Sequence, residues 1–168
     1  MESELEDLAP ALGAISNLLG TYAHAAIFKN TTSLSEADFQ KGVLENLKIR
    51  LGEEVTEHAA QAGGITDIKY KGVVIELKVE KSNGDRAFIV EMYTSQATQY
   101  QGVECRQVSI VLVLDLTEKT RPPGDIRNDI VLTDVLTHGG SDNEKKYPSK
   151  AIVFVINGNI RNPSSYSR

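Results

Sequence analysis

The sequence is short of the groups that would announce its chemistry at once. One cysteine, Cys105, stands among 168 residues. That excludes an internal disulfide and a multi-cysteine metal cluster, and it makes a reducing, cytosolic setting the default expectation. Three histidines, His24, His58 and His138, are far apart and show no ligand spacing, so no zinc site is expected. No stretch approaches the roughly 20 apolar residues of a membrane-spanning helix; the longest runs, such as Val108–Leu114, are short and β-branched. The first residues, Met1-Glu-Ser-Glu-Leu-Glu-Asp, are acidic, the opposite of a signal peptide's basic start. Basic residues number 18 against 23 acidic, a net charge of −5, so bulk charge does not coat nucleic acid. A local basic path stays open, and a carboxylate cluster around a cation would itself tilt the count. Internal repeats, low-complexity tracts, a nucleophile elbow and a Walker lysine are all missing; Gly63-Gly64 and Gly139-Gly140 read as turns.

What is present is ordinary globular composition, 40% hydrophobic and 24% charged, at the length of one domain. Residues 1–32 read as a helical extension of a domain spanning 33–168, the whole forming one compact unit. Residues 4–27 are rich in Ala and Leu and predict a helix, or a helix pair broken near Gly20. Ser33 with Glu36 three residues on fits a capping box for a second helix over 34–51. Phe39, Val43, Leu44, Leu47 and Leu51 form its apolar stripe, and Gly52 closes it. A short strand is plausible around Val55. Residues 65–70 and 72–80 predict two strands joined by a tight turn. In the second, Val73, Ile75, Leu77 and Val79 fall on one face, and Val74, Glu76, Lys78 and Glu80 on the other. A helix over 88–101, a buried strand over 108–114 and a last strand over 151–156 follow. Between the last two lies a long excursion, 117–148, with one short element near 130–136. The order predicts a mixed α/β sheet flanked by helices.

Chemistry gathers at Asp67, Glu76 and Lys78. The tight turn brings Asp67 close to Glu76, and neighbouring carboxylates repel unless a cation or a proton lies between them. Such oxygen ligands suit Mg²⁺ or Mn²⁺. A lysine beside them can orient or activate a water and offset charge building on a phosphate. The competing interpretation is a solvated strand face with cross-strand ion pairs. Gln96 and Tyr100 share a helical face and can donate to phosphate oxygens; a plain polar helix face is the alternative. Arg121, Arg127, Lys145 and Lys146 in the excursion are candidate backbone contacts, or a solvated loop. Cys105 reads as a core or helix-end residue, since no Cys–His signature surrounds it.

Gly64-Ile-Thr-Asp67 followed by Ile75-Glu76-Leu77-Lys78 resembles the PD-(D/E)XK nuclease superfamily. Gln96-Ala-Thr-Gln-Tyr100 resembles the glutamine-x-x-x-tyrosine motif of its RecB-like members. Ser35-Glu36-Ala-Asp-Phe, with Leu51-Gly52 closing the helix, resembles the opening of type I restriction-subunit nuclease domains. The resemblance covers roughly residues 34–114 and departs in one place: Thr66, not proline, precedes Asp67. It implies a restriction-endonuclease-like α/β fold with core order α-β-β-β-α-β, and a Mg²⁺- or Mn²⁺-dependent nuclease with DNA as the expected substrate. Asp67, Glu76 and the Leu77 carbonyl would hold the metal. Lys78 would serve the attacking water, and Gln96 and Tyr100 would position Lys78 or the phosphate. Glu36 is the candidate acidic residue of the first core helix, the capping box being its equal alternative and Glu54 a weaker candidate. Assembly as a homodimer or within a larger defence or repair complex is compatible with this. The different class of reading is a non-catalytic module of the same fold that binds a protein partner or nucleic acid.

Overall fold

The computed structural model describes residues 2–58, 67–94, 108–138, 146–161 and 165. Helix α1 (Glu2–Ala25) runs unbroken through Pro10 and Gly20, which corrects the expected break near Gly20. Both residues are exposed: water can satisfy the carbonyl that Pro10 leaves without a donor, and nothing crowds Gly20. Leu8, Ala11, Ile15, Leu18 and Tyr22 recur at helical spacing and are buried in the same core as the sheet.

Helix α2 (Glu36–Leu51) starts two residues later than its sequence signal suggested. Its N-cap is Ser35, whose Oγ accepts from the Asp38 amide at 3.0 Å and bonds the Asp38 carboxylate at 2.5 Å. The Ser33–Glu36 box is therefore replaced by a Ser35–Asp38 pair, and Glu36 is released from capping. Phe39, Val43 and Leu47 are buried, with Leu44 and Leu51 packed beside them. Gly52 closes the helix as expected, with φ +83° and its amide on the Lys48 carbonyl.

Six strands follow: β1 (Val55–His58), β2 (Asp67–Tyr70), β3 (Val73–Glu80), β4 (Val108–Asp115), β5 (Ile130–His138) and β6 (Lys146–Asn157). A helix, α3, covers 86–94 between β3 and β4. It begins two residues before the expected start, and its expected continuation to 101 lies outside the described residues. A short 3₁₀ turn, Ile126–Asp129, leads into β5. The spatial order is β1-β2-β3-β4-β6-β5; β3, β4 and β6 are parallel, and the other pairings are antiparallel. The short element expected at 130–136 is a nine-residue edge strand, and the last strand begins at Lys146 rather than Ala151.

Two layers cover this mixed sheet. On one face, Val73, Ile75 and Leu77 of β3 and Ile110, Leu112 and Leu114 of β4 pack with α1 and α2. On the other, Val111, Val113, Val153 and Val155 pack with Ile89, flanked by Phe88, Val90 and Tyr93 of α3. The alternation read from β3 therefore holds. Its polar side is nonetheless covered: Glu76, Lys78 and Glu80 are 4%, 9% and 4% exposed. The solvated-face interpretation of those charges is excluded.

Candidate active site

The site arises where two strands part company. The antiparallel register of β2 and β3 runs Tyr70↔Val73, Lys69↔Val74, Ile68↔Ile75, which brings Asp67 opposite Glu76. There β2 begins, while β3 continues to Glu80. On its other side β3 stays paired with β4 throughout, and the Glu80 carbonyl accepts from the Leu116 amide. Backbone groups of alternate strand residues face opposite edges. Those of Leu77 and Val79 therefore face the β2 side of β3, past the pairs that the described part of β2 makes.

Carboxylates take those amides. Asp67 accepts from the Leu77 amide, and Glu36 Oε1 accepts from the Val79 amide at 3.4 Å. The Leu77 carbonyl points to the same edge as its amide, as its candidate role as a ligand requires. Glu36 reaches this point because it opens α2, whose stripe residues Phe39, Val43 and Leu47 hold the helix against the sheet. Glu45 is exposed, as expected from the helical wheel. Glu54 is exposed and pairs with Lys71, away from this edge, so it is not the acidic residue of the site.

Electrostatics bind the four side chains into one group. Lys78 Nζ lies 3.1 Å from Glu76 Oε1. Burial pushes the Asp67 carboxyl up from its ordinary 3.8 to about 6; Lys78 opposes the rise, Glu36 adds to it, and the Leu77 amide opposes it. Burial also raises Glu76, against the pull of Lys78, and both Asp67 and Glu36 add to that rise. Two carboxylate oxygens, Glu36 Oε2 and Glu76 Oε2, are buried and have no hydrogen-bond partner among the described residues. An orphaned buried acceptor is costly unless something positive meets it.

Those orphans are the observation against which a metal is tested. Hard anionic oxygens from Glu36, Asp67 and Glu76, with a carbonyl at Leu77, suit a hard divalent cation. Among the described residues, no three carboxylate, imidazole or thiol groups are gathered closely enough to hold an ion unaided. Mg²⁺ asks less of a site, since it binds through one or two carboxylates and keeps several waters.

Sequence reasoning passed over two neighbours. Glu80 accepts from the Ser82 amide at 2.5 Å, Ser82 Oγ at 2.7 Å, the Asn83 amide at 3.0 Å and Tyr93 Oη at 2.8 Å. Its burial would raise its pKa, but these donors prevail and hold it down at about 2. The signal was available, since Glu80 shares the face of Glu76 and Lys78. A second network at the strand ends was missed altogether. Arg86 donates to Asp129 and Asp115 at 2.8 Å each, to the Gly84 carbonyl at 2.9 Å and to Asn157 at 2.7 Å. Lys119 adds a 2.8 Å pair to Asp115.

Gln96, Tyr100, Cys105, Thr66, Gly63-Gly64, Gly139-Gly140 and Lys145 lie outside the described residues. Arg127 is held by Asp125 beside it, at 2.5 Å. No described helix is long and apolar enough to cross a membrane. Comparison with protein-family models, with curated proteins and with solved structures finds no match to this chain.

Proposed function

We propose that the chain is a Mg²⁺-dependent nuclease of restriction-endonuclease-like fold that hydrolyses phosphodiester bonds in DNA. The observation that carries this is the electrostatic coupling of Glu36, Asp67, Glu76 and Lys78 beside β3, with two buried carboxylate oxygens that have no partner among the described residues. Asp67, Glu76 and the Leu77 carbonyl would hold the cation, with Glu36 completing the shell directly or through water. The bound cation would supply Lewis-acid stabilisation of the phosphoryl and leaving oxygens. Lys78, buried beside Glu76, can orient the attacking water and face the charge that builds on the phosphate. Burial that raises the carboxyls of Asp67 and Glu76 beside a lysine is a pattern typical of functional sites. Gln96 and Tyr100 would position Lys78 or the phosphate, as the resemblance implies.

One observation favours a second reading. Lys78 already neutralises Glu76, and a lysine–carboxylate pair can close such a site without an ion. On that reading the chain is a non-catalytic module that binds a protein partner or nucleic acid. A cleavage assay decides between them. Linear, circular, branched and single-stranded DNA, and RNA, are incubated with Mg²⁺, Mn²⁺ or EDTA, with wild type run beside Asp67→Ala and Lys78→Ala. Metal-dependent cleavage lost in both variants is expected. Folded wild type that cuts none of these substrates refutes the nuclease.

A further inference from the structure

A groove of about 660 Å³ opens at the ends of β3, β4 and β6, between the 81–86 segment and the 117–125 segment. Its lining holds as many carboxylates as cations, so its character depends on which charges are already paired. Asp115 and Asp129 are occupied by Arg86, with Lys119 also on Asp115. Glu118 is paired with Arg161, and Asp125 with Arg127. Two exposed cations of the lining, Lys81 and Arg121, have no ion-pair partner among the described residues. A ligand entering the groove therefore meets a net positive rim above an internally neutralised floor.

The rim is held in place. Glu80 grips the Ser82 and Asn83 amides, which fixes the backbone that carries Lys81. The opposite wall touches Gly84 so closely that an added Cβ would lie 2.4 Å from Thr117 Oγ1. Arg86 joins both walls to the floor through Gly84, Asp115 and Asn157. Arg86 is spent on this framework, which leaves Lys81 and Arg121 as the groove's offered charge. The groove also starts where β3 ends, at Lys81, three residues beyond Lys78.

We propose that this groove seats the backbone phosphates of a single nucleic-acid strand, with Lys81 and Arg121 as the phosphate contacts. The choice of ligand rests on the phosphodiesterase reading of the neighbouring site. Binding is measured in EDTA without cleavage, so either idea can fail alone. The probes are fluorescein-labelled single-stranded DNA and RNA oligonucleotides of one sequence, titrated with the full chain across a salt series. Two lost phosphate contacts lower the single-strand salt slope by about 1.4, equivalent to about 25-fold weaker binding at 0.1 M salt. Lys81→Ala with Arg121→Ala should show both changes on DNA and RNA alike, with an unchanged melting temperature. Arg50→Ala, an exposed cation of α2 that does not line the groove, should bind within twofold of wild type.

Several outcomes overturn the proposal: wild type that binds neither oligonucleotide, or a double variant within twofold of wild type with the same slope. A loss confined to DNA or to RNA overturns phosphate reading in favour of sugar recognition. Inorganic phosphate that displaces the strand at the strand's own concentration overturns it in favour of a free-anion site. Cleavage abolished by Asp67→Asn with binding intact supports the groove and the nuclease together. Binding that depends on Lys81 and Arg121 without any cleavage supports the groove and removes the nuclease.

Discussion

Replacing Asp67 with asparagine should make the protein more stable while removing the proposed nuclease activity. A carboxyl whose pKa rises from 3.8 to about 6 on folding binds its proton more readily in the folded state. Stability is therefore lowest above pH 6 and is recovered as pH falls from about 6 towards 3.8. The full cost is about 3 kcal/mol, at 1.36 kcal/mol for each tenfold change. Relaxation around the ionised group lowers this, so a gain of about 1–3 kcal/mol is expected from Asp67→Asn at pH 8. The asparagine oxygen can still accept from the Leu77 amide, so the change chiefly removes charge. For 168 residues the unfolding entropy is about 0.35 kcal/mol per degree, which converts that gain to a rise of about 3–8 °C. The assay is calorimetric melting of both proteins in EDTA from pH 4 to 8.5, read as a difference so that groups remote from Asp67 cancel; Glu76, which Asp67 helps to raise, adds to the gap in the same direction. The difference should be largest at pH 8 and close towards pH 4. Mg²⁺ at pH 8 should raise the wild-type melting temperature and move the variant less. A variant that melts at or below wild type at pH 8, or a gap that persists unchanged to pH 4, would refute the electrostatic reasoning.

Three further substitutions probe the framework. Arg86→Met strips the fully buried Asp115 and the buried Asp129 of their shared partner and should cost about 3–5 kcal/mol in urea unfolding; unchanged stability would show that Lys119 alone suffices. Gly158→Ala should cost about 1–3 kcal/mol, because its Cβ would stand 2.6 Å from Leu116 Cδ2 and 3.2 Å from the Asp115 carbonyl; a neutral result would mean that the leucine moves freely. Ser35→Ala should cost about 1 kcal/mol and Ser33→Ala much less; the reverse ranking would restore the earlier cap.

The strands and the polar side of β3 were legible because their signals are local. Alternation from Val73 to Glu80 needs no knowledge of what lies above or below the sheet. What covers that side was not legible, since only tertiary packing buries Glu76 and Lys78 and brings Tyr93 of α3 onto Glu80. The cap could not be read from spacing, because Ser33–Glu36 and Ser35–Asp38 offer the same three-residue interval. The tie is broken by Val79, 43 residues away, whose amide takes Glu36. Strand β5 was hard to see because its short apolar alternation sits inside a charged excursion. The Arg86 network had no local signature: its partners Asp115, Asp129 and Asn157 meet only when three strand ends converge. The one hint was Asp115, a carboxylate that ends the most apolar run in the chain.

The carboxylates beside β3 come from parts of the chain that differ in sequence distance. Asp67, Glu76 and Lys78 belong to one tight hairpin, of the kind that closes within microseconds from contacts near in sequence. Glu36 joins only when α2 docks, a contact of long sequence separation that costs loop entropy before any return. Glu36's share of the repulsion on Asp67 and Glu76 thus exists only while α2 is docked. A divalent ion beside β3 would therefore act first on how firmly α2 stays docked, and the helix would report occupancy of the site.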